Sequence, residues 1–213
     1  VDIGLRIQEG GLRAFGRVVR AAYYVSSHGK EVSHRTMIRS ARITDVPAIQ
    51  AIINSHAEVG KMLFKSYAQL YEHLRDFAVF EEEGEVVGCV AVTIIWADLA
   101  EVRSLAVDRE CMGRGIGKQL VRWCLEECRR LGVRKLMSLT YEQAFFEKLG
   151  FVVVEKDTLP LKVWTDCVVC PKRDGCDEIA MICELTDVPH IQAPTAIPTP
   201  RGVSIPVLDH LED

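Results

Sequence analysis

A chain of 213 residues, 48% apolar and 26% charged, has the composition of an ordinary globular domain and room for one sizeable core. Its formal net charge of -4 excludes a broad electrostatic attraction to nucleic acid or an anionic membrane. No apolar run reaches the roughly 18 residues of a membrane span, and eight cysteines without a secretory leader read as reduced thiols in a cytoplasmic protein.

Residues 1–36 show no sustained period and are expected to form a poorly ordered extension; Asp2, Glu9 and Glu31 argue against a targeting leader. A domain is expected over residues 37–185. "IRSAR" at 38–42 reads as its first strand. Asp45 is the expected N-cap of a helix whose Val46, Ile49, Ile52 and Ile53 follow helical spacing. Ser66 and Gln69 form a capping box for a second helix, "YAQLYEHLRDF". Residues 77–96 read as two strands around a turn at Glu83-Gly84, and "AEVRSLAV" at 100–107 as another. A helix follows to about Leu131, with Ile116, Leu120, Cys124, Cys128 and Leu131 as its inward stripe. "VRKLMSLT" is a strand, "YEQAFFEKL" a short helix, and "FVVVEK" a last strand after the stop at Gly150. The order β-α-α-β-β-β-α-β-α-β predicts a mixed α/β sheet. Residues 186–213, with Pro194, Pro198, Pro200 and Pro206, read as an extended tail.

The segment "DRECMGRGIGKQLVRW" sets Gly113, Gly115 and Gly117 on alternate positions where a strand hands over to a helix. Backbone N–H groups at a helix start lack intrahelical partners, and the macrodipole is positive there. Glycines let that backbone close on a phosphate, and Arg114 and Lys118 add charge. Lys118 is followed by Gln119, so this is no Walker loop, and the preceding antiparallel strands exclude a dinucleotide fingerprint.

"VRSLAVDRECMGRGIGKQL" resembles instead the pyrophosphate loop of the Gcn5-related N-acetyltransferase (GNAT) superfamily, with the pattern Gln/Arg-x-x-Gly-x-Gly/Ala. Gly115 and Gly117 match the small positions, and Met112 stands where Gln or Arg is usual. "FFEKLGF" at 145–151 is similar to the second family signature. The resemblance covers about residues 38–156. It implies the GNAT fold, a mostly antiparallel mixed sheet flanked by helices, with acetyl-CoA as co-substrate and no cofactor needed for the chemistry. It places Leu105, Ala106 and Val107 along the pantetheine, Met112, Gly113, Arg114, Gly115, Ile116, Gly117 and Lys118 at the diphosphate, and Phe146 against the cofactor.

Amine acetylation needs a base for the ammonium proton, donors for the oxyanion and an acid for the leaving thiolate. No histidine lies between His73 and His190, which excludes a histidine base from the central strands, and Phe146 replaces the acid tyrosine common in the family. "KMLFKSYAQLYE", "WADLAEVRSLAV" and "SLTYEQAFFEKLGF" resemble the acetyltransferase domain of bacterial N-acetylglutamate synthases, in the short stand-alone form without a kinase domain. That resemblance implies acetylation of the α-amine of L-glutamate, the first step of arginine synthesis, by direct attack. Glu101 is then the base acting through water, in place of a solvated strand-end carboxylate, and Thr140 the acid, unless it only caps a helix with Gln143. Two substrate carboxylates call for cations, and Lys65 with Ser66, Arg103 and Lys162 are the candidates. The alternatives are a GNAT enzyme for another small amine or amino acid, and a non-catalytic regulatory domain binding CoA or a metal. The partners expected are small molecules, with a homodimer left open.

"DCVVCPKRDGC" brings together Cys167, Cys170 and Cys176, with Cys183 following. The C-x2-C step suits a structural metal, but no second such step appears, so simple reduced thiols stay the competing reading.

Overall fold

The computed structural model describes residues 19–25, 31–159 and 175–191. Their strands form one sheet in the order β1 (Val19–Val25), β2 (Glu31–Ser40), β3 (Phe77–Glu82), β4 (Glu85–Trp96), β5 (Leu99–Val107), β6 (Lys135–Thr140), β8 (Ile179–Glu184), β7 (Val152–Val153). Every neighbouring pair is antiparallel except β5 with β6. Among the described residues four helices flank the sheet: α1 (Val46–Ala57), α2 (Tyr67–Glu72), α3 (Ile116–Leu131) and α4 (Gln143–Glu147). No helix among the described residues is long and apolar enough to cross a membrane.

Both faces of the central strands are covered, so β3 and β4 carry continuous apolar runs rather than alternation with polar residues. Phe77, Val79, Cys89, Ala91 and Ala106 pack against Val46, Ile49, Ile52 and Ile53 of α1 and Leu70 of α2. Their sequence neighbours Ala78, Phe80, Val90 and Val92, with Ala100 and Val102, meet Ile116, Leu120, Cys124 and Cys128 of α3 on the other face. The β3–β4 hairpin turns at Glu83 and Gly84, with φ 55 and 92. Positive φ at both positions matches the right-handed twist of the strands, so the expected turn is present. The capping box of Ser66 with Gln69 also forms. α3 ends at Gly132, whose φ of 75 and N–H to the Arg129 and Cys128 carbonyls close the last turn.

Several expectations are corrected. The first strand, expected over residues 38–42, runs over Glu31–Ser40. Val19–Val25 pairs with residues 31–37, so ladder hydrogen bonds extend the sheet where side-chain periodicity has faded. Asp45 sits at the N-cap of α1 without capping it. Its carboxylate instead accepts both Arg39 Nη groups at 2.6 and 2.9 Å and the Arg42 N–H at 2.7 Å, while Arg39 Nε reaches Glu81 at 2.7 Å. The second helix stops at Glu72 and tightens into a 3-10 turn, Leu74–Asp76. Leu131 is 46% exposed and leaves the α3 stripe, whose buried members include Val121. "FVVVEK" contributes only Val152–Val153. The longer strand is β8, inserted between β6 and the edge strand β7 by pairing all of Lys135–Thr140.

Candidate active site

β5 and β6 pair only through Leu99–Glu101 with residues 135–137, whereas β6 stays paired to β8 along its whole length. Beyond Glu101 the two strands therefore part, and one edge of β5 over residues 102–107 faces a notch instead of a strand. On its other edge the register with β4 shifts between Cys89 and Ala91, and Ser104 takes φ 51. Such a bulge re-aims the strand end. Leu105 and Val107 are half-buried there and Ala106 is buried.

The chain leaves β5 through a 3-10 turn, Arg109–Cys111, and turns into α3 at Gly113 and Gly115, whose φ values are 76 and 78. These left-handed positions favour glycine, and a Cβ added at either would meet nothing within 4 Å. Gly117 differs. Its backbone is helical, and an added Cβ would have the Phe145 ring at 3.6 Å and a Val107 methyl at 3.8 Å as its nearest neighbours, both ordinary contacts. The fold itself makes no demand for glycine there, whereas a ligand lying on the N–H groups of residues 116–118 would. Gln119 N already bonds Gly115 O, which leaves those three to a partner outside the helix. The Ile116 side chain is buried in the core, so this residue offers the loop its backbone. Lys118 is exposed, and Met112, 53% exposed, places an apolar side chain beside the glycines. The Arg114 guanidinium bonds Glu82 at 2.6 Å and the Cys111 sulfur at 3.5 Å, so its charge is already neutralised across the loop.

Glu101 is the last β5 residue paired with β6, so its side chain stands at the vertex of the notch. It is only 6% exposed, and Arg103 Nε donates to its Oε2 at 2.5 Å. Ala100 and Val102 belong to the α3-side core, which turns Glu101 and Arg103 toward the face carrying α1 and α2. Lys65 and Ser66 lie in that layer. Asn54 Oδ1 accepts the Lys65 N–H at 2.9 Å, and the amides of Gln50 and Asn54 hold the Lys65 carbonyl at 3.2 Å. The structure thus brings Lys65, Ser66, Glu101 and Arg103 to one face. Leu136 packs on the α3 side, and alternation along β6 sets Thr140 on that side too, across the sheet from Glu101. Thr140 Oγ1 accepts the Glu142 N–H at 2.9 Å, and no capping box with Gln143 forms: Glu142 is the N-cap of α4, and the Gln143 amide nitrogen donates to Glu147. That bond leaves the Thr140 hydroxyl hydrogen free to donate.

Phe146 is buried in the core, edge-on to Phe145 and Phe151 with ring centres 5.1 and 5.0 Å apart. Lys162, Cys167 and Cys170 lie outside the described residues. Cys176 sits beside Lys156 and Glu178, whereas Cys183 packs into the α3-side core. Among the described residues no group of three or more His, Cys, Asp or Glu is placed to hold a metal ion. Gln50, Asn54 and His56 were not singled out as site residues by sequence. The first two stand four apart beside the apolar stripe of α1, a polar spacing that marks a helix edge with a partner. His56 carries no such signal.

The sequence profile of the acetyltransferase (GNAT) family matches residues 49–151. An uncharacterized N-acetyltransferase of Chlorobaculum tepidum is 42% identical over 147 residues, 69% of this chain and 95% of that one. An amino-acid acetyltransferase of Mycobacterium tuberculosis is 38% identical, covering 62% of this chain and 77% of that protein. Among solved structures, N-acetylglutamate synthase from Neisseria gonorrhoeae, complexed with coenzyme A and N-acetyl-glutamate, matches with TM-score 0.64 at 28% identity. The match spans 70% of this chain and 35% of that longer one. A Mycobacterium tuberculosis structure in complex with CoA matches with TM-score 0.61 at 31% identity, over 70% of this chain and 99% of that chain.

Proposed function

Because this chain belongs to the acetyltransferase (GNAT) family and has its fold, we propose that it acetylates the α-amine of L-glutamate from acetyl-CoA, giving N-acetylglutamate and CoA. That reaction would supply arginine synthesis. The observation that carries this reading is the buried Glu101 carboxylate at the vertex where β5 and β6 part, with two cationic side chains on its face of the sheet. The amino-acid acetyltransferases among its relatives support the acceptor class.

The acetyl-CoA diphosphate lies on the N–H groups of residues 116–118, and the pantetheine runs along the open edge of β5. Through a water, Glu101 takes the proton of the substrate ammonium, so that the neutral nitrogen attacks the thioester carbon. Backbone N–H groups on the open edge of β5 hold the oxyanion that develops. Collapse breaks the C–S bond and the nitrogen gives its second proton to water; the thiolate is protonated by that water, or by Thr140, which the water then reprotonates. Arg103 holds Glu101 in place. Lys65, together with Lys162, meets the substrate carboxylates.

The test is thiol release from acetyl-CoA across a panel of amino acids. Glutamate-dependent release that falls about 100-fold in Glu101→Gln supports the reading. Release with another amine alone would reassign the acceptor, and no release with any amine would leave a CoA-binding regulatory domain.

A further inference from the structure

The peptide joining Val107 to Asp108 has its N–H committed to Val87 O of β4 at 2.9 Å. No described peptide bond is cis, so the carbonyl of the same unit points the opposite way, toward the notch. That carbonyl already has a partner. His56 Nε2, from the last turn of α1, lies 2.8 Å from Val107 O. A carbonyl oxygen only accepts, so Nε2 carries the hydrogen and donates it. One residue earlier on α1, Ser55 O accepts from the guanidinium of Arg109, which opens the turn leading to Gly113. The end of α1 therefore grips the chain on both sides of Asp108.

This grip falls where the sheet holds β5 least. β6 has diverged, the β4 register has shifted and Ser104 has bent the strand. The edge of β5 that faces the notch and the glycine turn after it continue directly from the gripped residues. Fixing them in the free protein removes ordering cost from ligand binding.

We propose that His56 is a positioning residue for acetyl-CoA. By holding the Val107 carbonyl, it sets the end of β5 and the glycine turn in register for the pantetheine and diphosphate before the ligand arrives. The proposal rests on the acetyl-CoA reading above and is independent of which amine is acetylated.

Three variants test it, because side-chain reach separates the bond from mere polarity. The amide nitrogen of glutamine falls near the position of Nε2, whereas that of asparagine stops near Nδ1. In His56→Ala and His56→Asn, the Kd for CoA by calorimetry and the KM for acetyl-CoA should rise about 3- to 10-fold, the loss of one hydrogen bond. His56→Gln should restore both to within about twofold of the wild type. Acceptor KM, and kcat at saturating acetyl-CoA, should stay within about twofold in all three. Unchanged or tighter CoA binding in His56→Ala would overturn the proposal. So would a loss in His56→Gln equal to that in His56→Asn, or a weakening that only tracks falling Tm. If the wild type binds no CoA, the acetyl-CoA reading fails first and takes this proposal with it. If the wild type binds CoA and the alanine variant binds it equally, the proposal alone fails.

Discussion

Replacing Gly117 with alanine sets the stability of the fold against the binding of its ligand. The residue is helical, and the nearest neighbours of the added Cβ would be the Phe145 ring at 3.6 Å and a Val107 methyl at 3.8 Å, both ordinary contacts. Alanine lowers the entropy cost of helix formation by about 0.5–1 kcal/mol relative to glycine, which raises Tm by about 1–4 °C for a domain of this size. The same methyl group, however, enters the space between the helix start and the Val107 end of β5, where the acetyl-CoA reading puts the diphosphate. Losing one hydrogen bond to a charged group costs about 1.5–3 kcal/mol, so the CoA Kd should rise about 10- to 100-fold. Gly115→Ala is the contrasting variant: at φ 78 it should lose about 1–2 kcal/mol of stability through backbone strain alone. Thermal melts and calorimetric CoA titrations of both proteins read the two quantities separately. A Gly117→Ala protein that binds CoA like the wild type would refute the backbone cradle, whatever its Tm.

Asp45→Asn should destabilise the protein by about 2 kcal/mol at neutral pH, the scale of a hydrogen bond to a charged group. The Arg39 guanidinium, followed by the Arg42 N–H, holds the Asp45 carboxyl below its usual range. A depressed folded value contributes stability that is complete above the ordinary carboxylate range and is lost as pH falls through the folded value. Chemical denaturation from pH 7 to pH 3 should therefore show the gap between wild type and Asp45→Asn closing toward acid, and a constant gap would contradict the ion pair. Burial pushes the Cys89 and Cys128 thiols up to about 12 and also raises Cys124 and Cys183. At pH 8 a thiol reagent should leave these four unlabelled in the native protein while Cys111 and Cys176 react, as mapped by peptide mass spectrometry. Rapid native labelling of Cys124 would show that the α3 core opens. The same mapping sets the background for the thiol-release assay.

Local patterns in the sequence carried most of the element order. The apolar spacing of α1 and α3, the Ser66 capping box, the Glu83-Gly84 turn and the three glycines each act within a few residues, so they are legible without knowing what lies across the fold. The glycine turn pointed to the donor for the same reason: its requirement is a backbone conformation and an open approach. Pairings between distant segments were not legible. β8 enters the sheet beside β6 although some forty residues separate them, and Val152–Val153 is reduced to a short edge as a consequence. Asp45 has the sequence context of a cap, yet a guanidinium six residues back outcompetes the helix N–H groups for its carboxylate. Whether Arg114 faces a phosphate or Glu82, whether Thr140 shares a face with Glu101, and that His56 holds the end of β5 are decided by strand register and helix placement. These are long-range geometric facts. Composition and spacing determine which residues are available for chemistry, and only the packed sheet determines which of them meet.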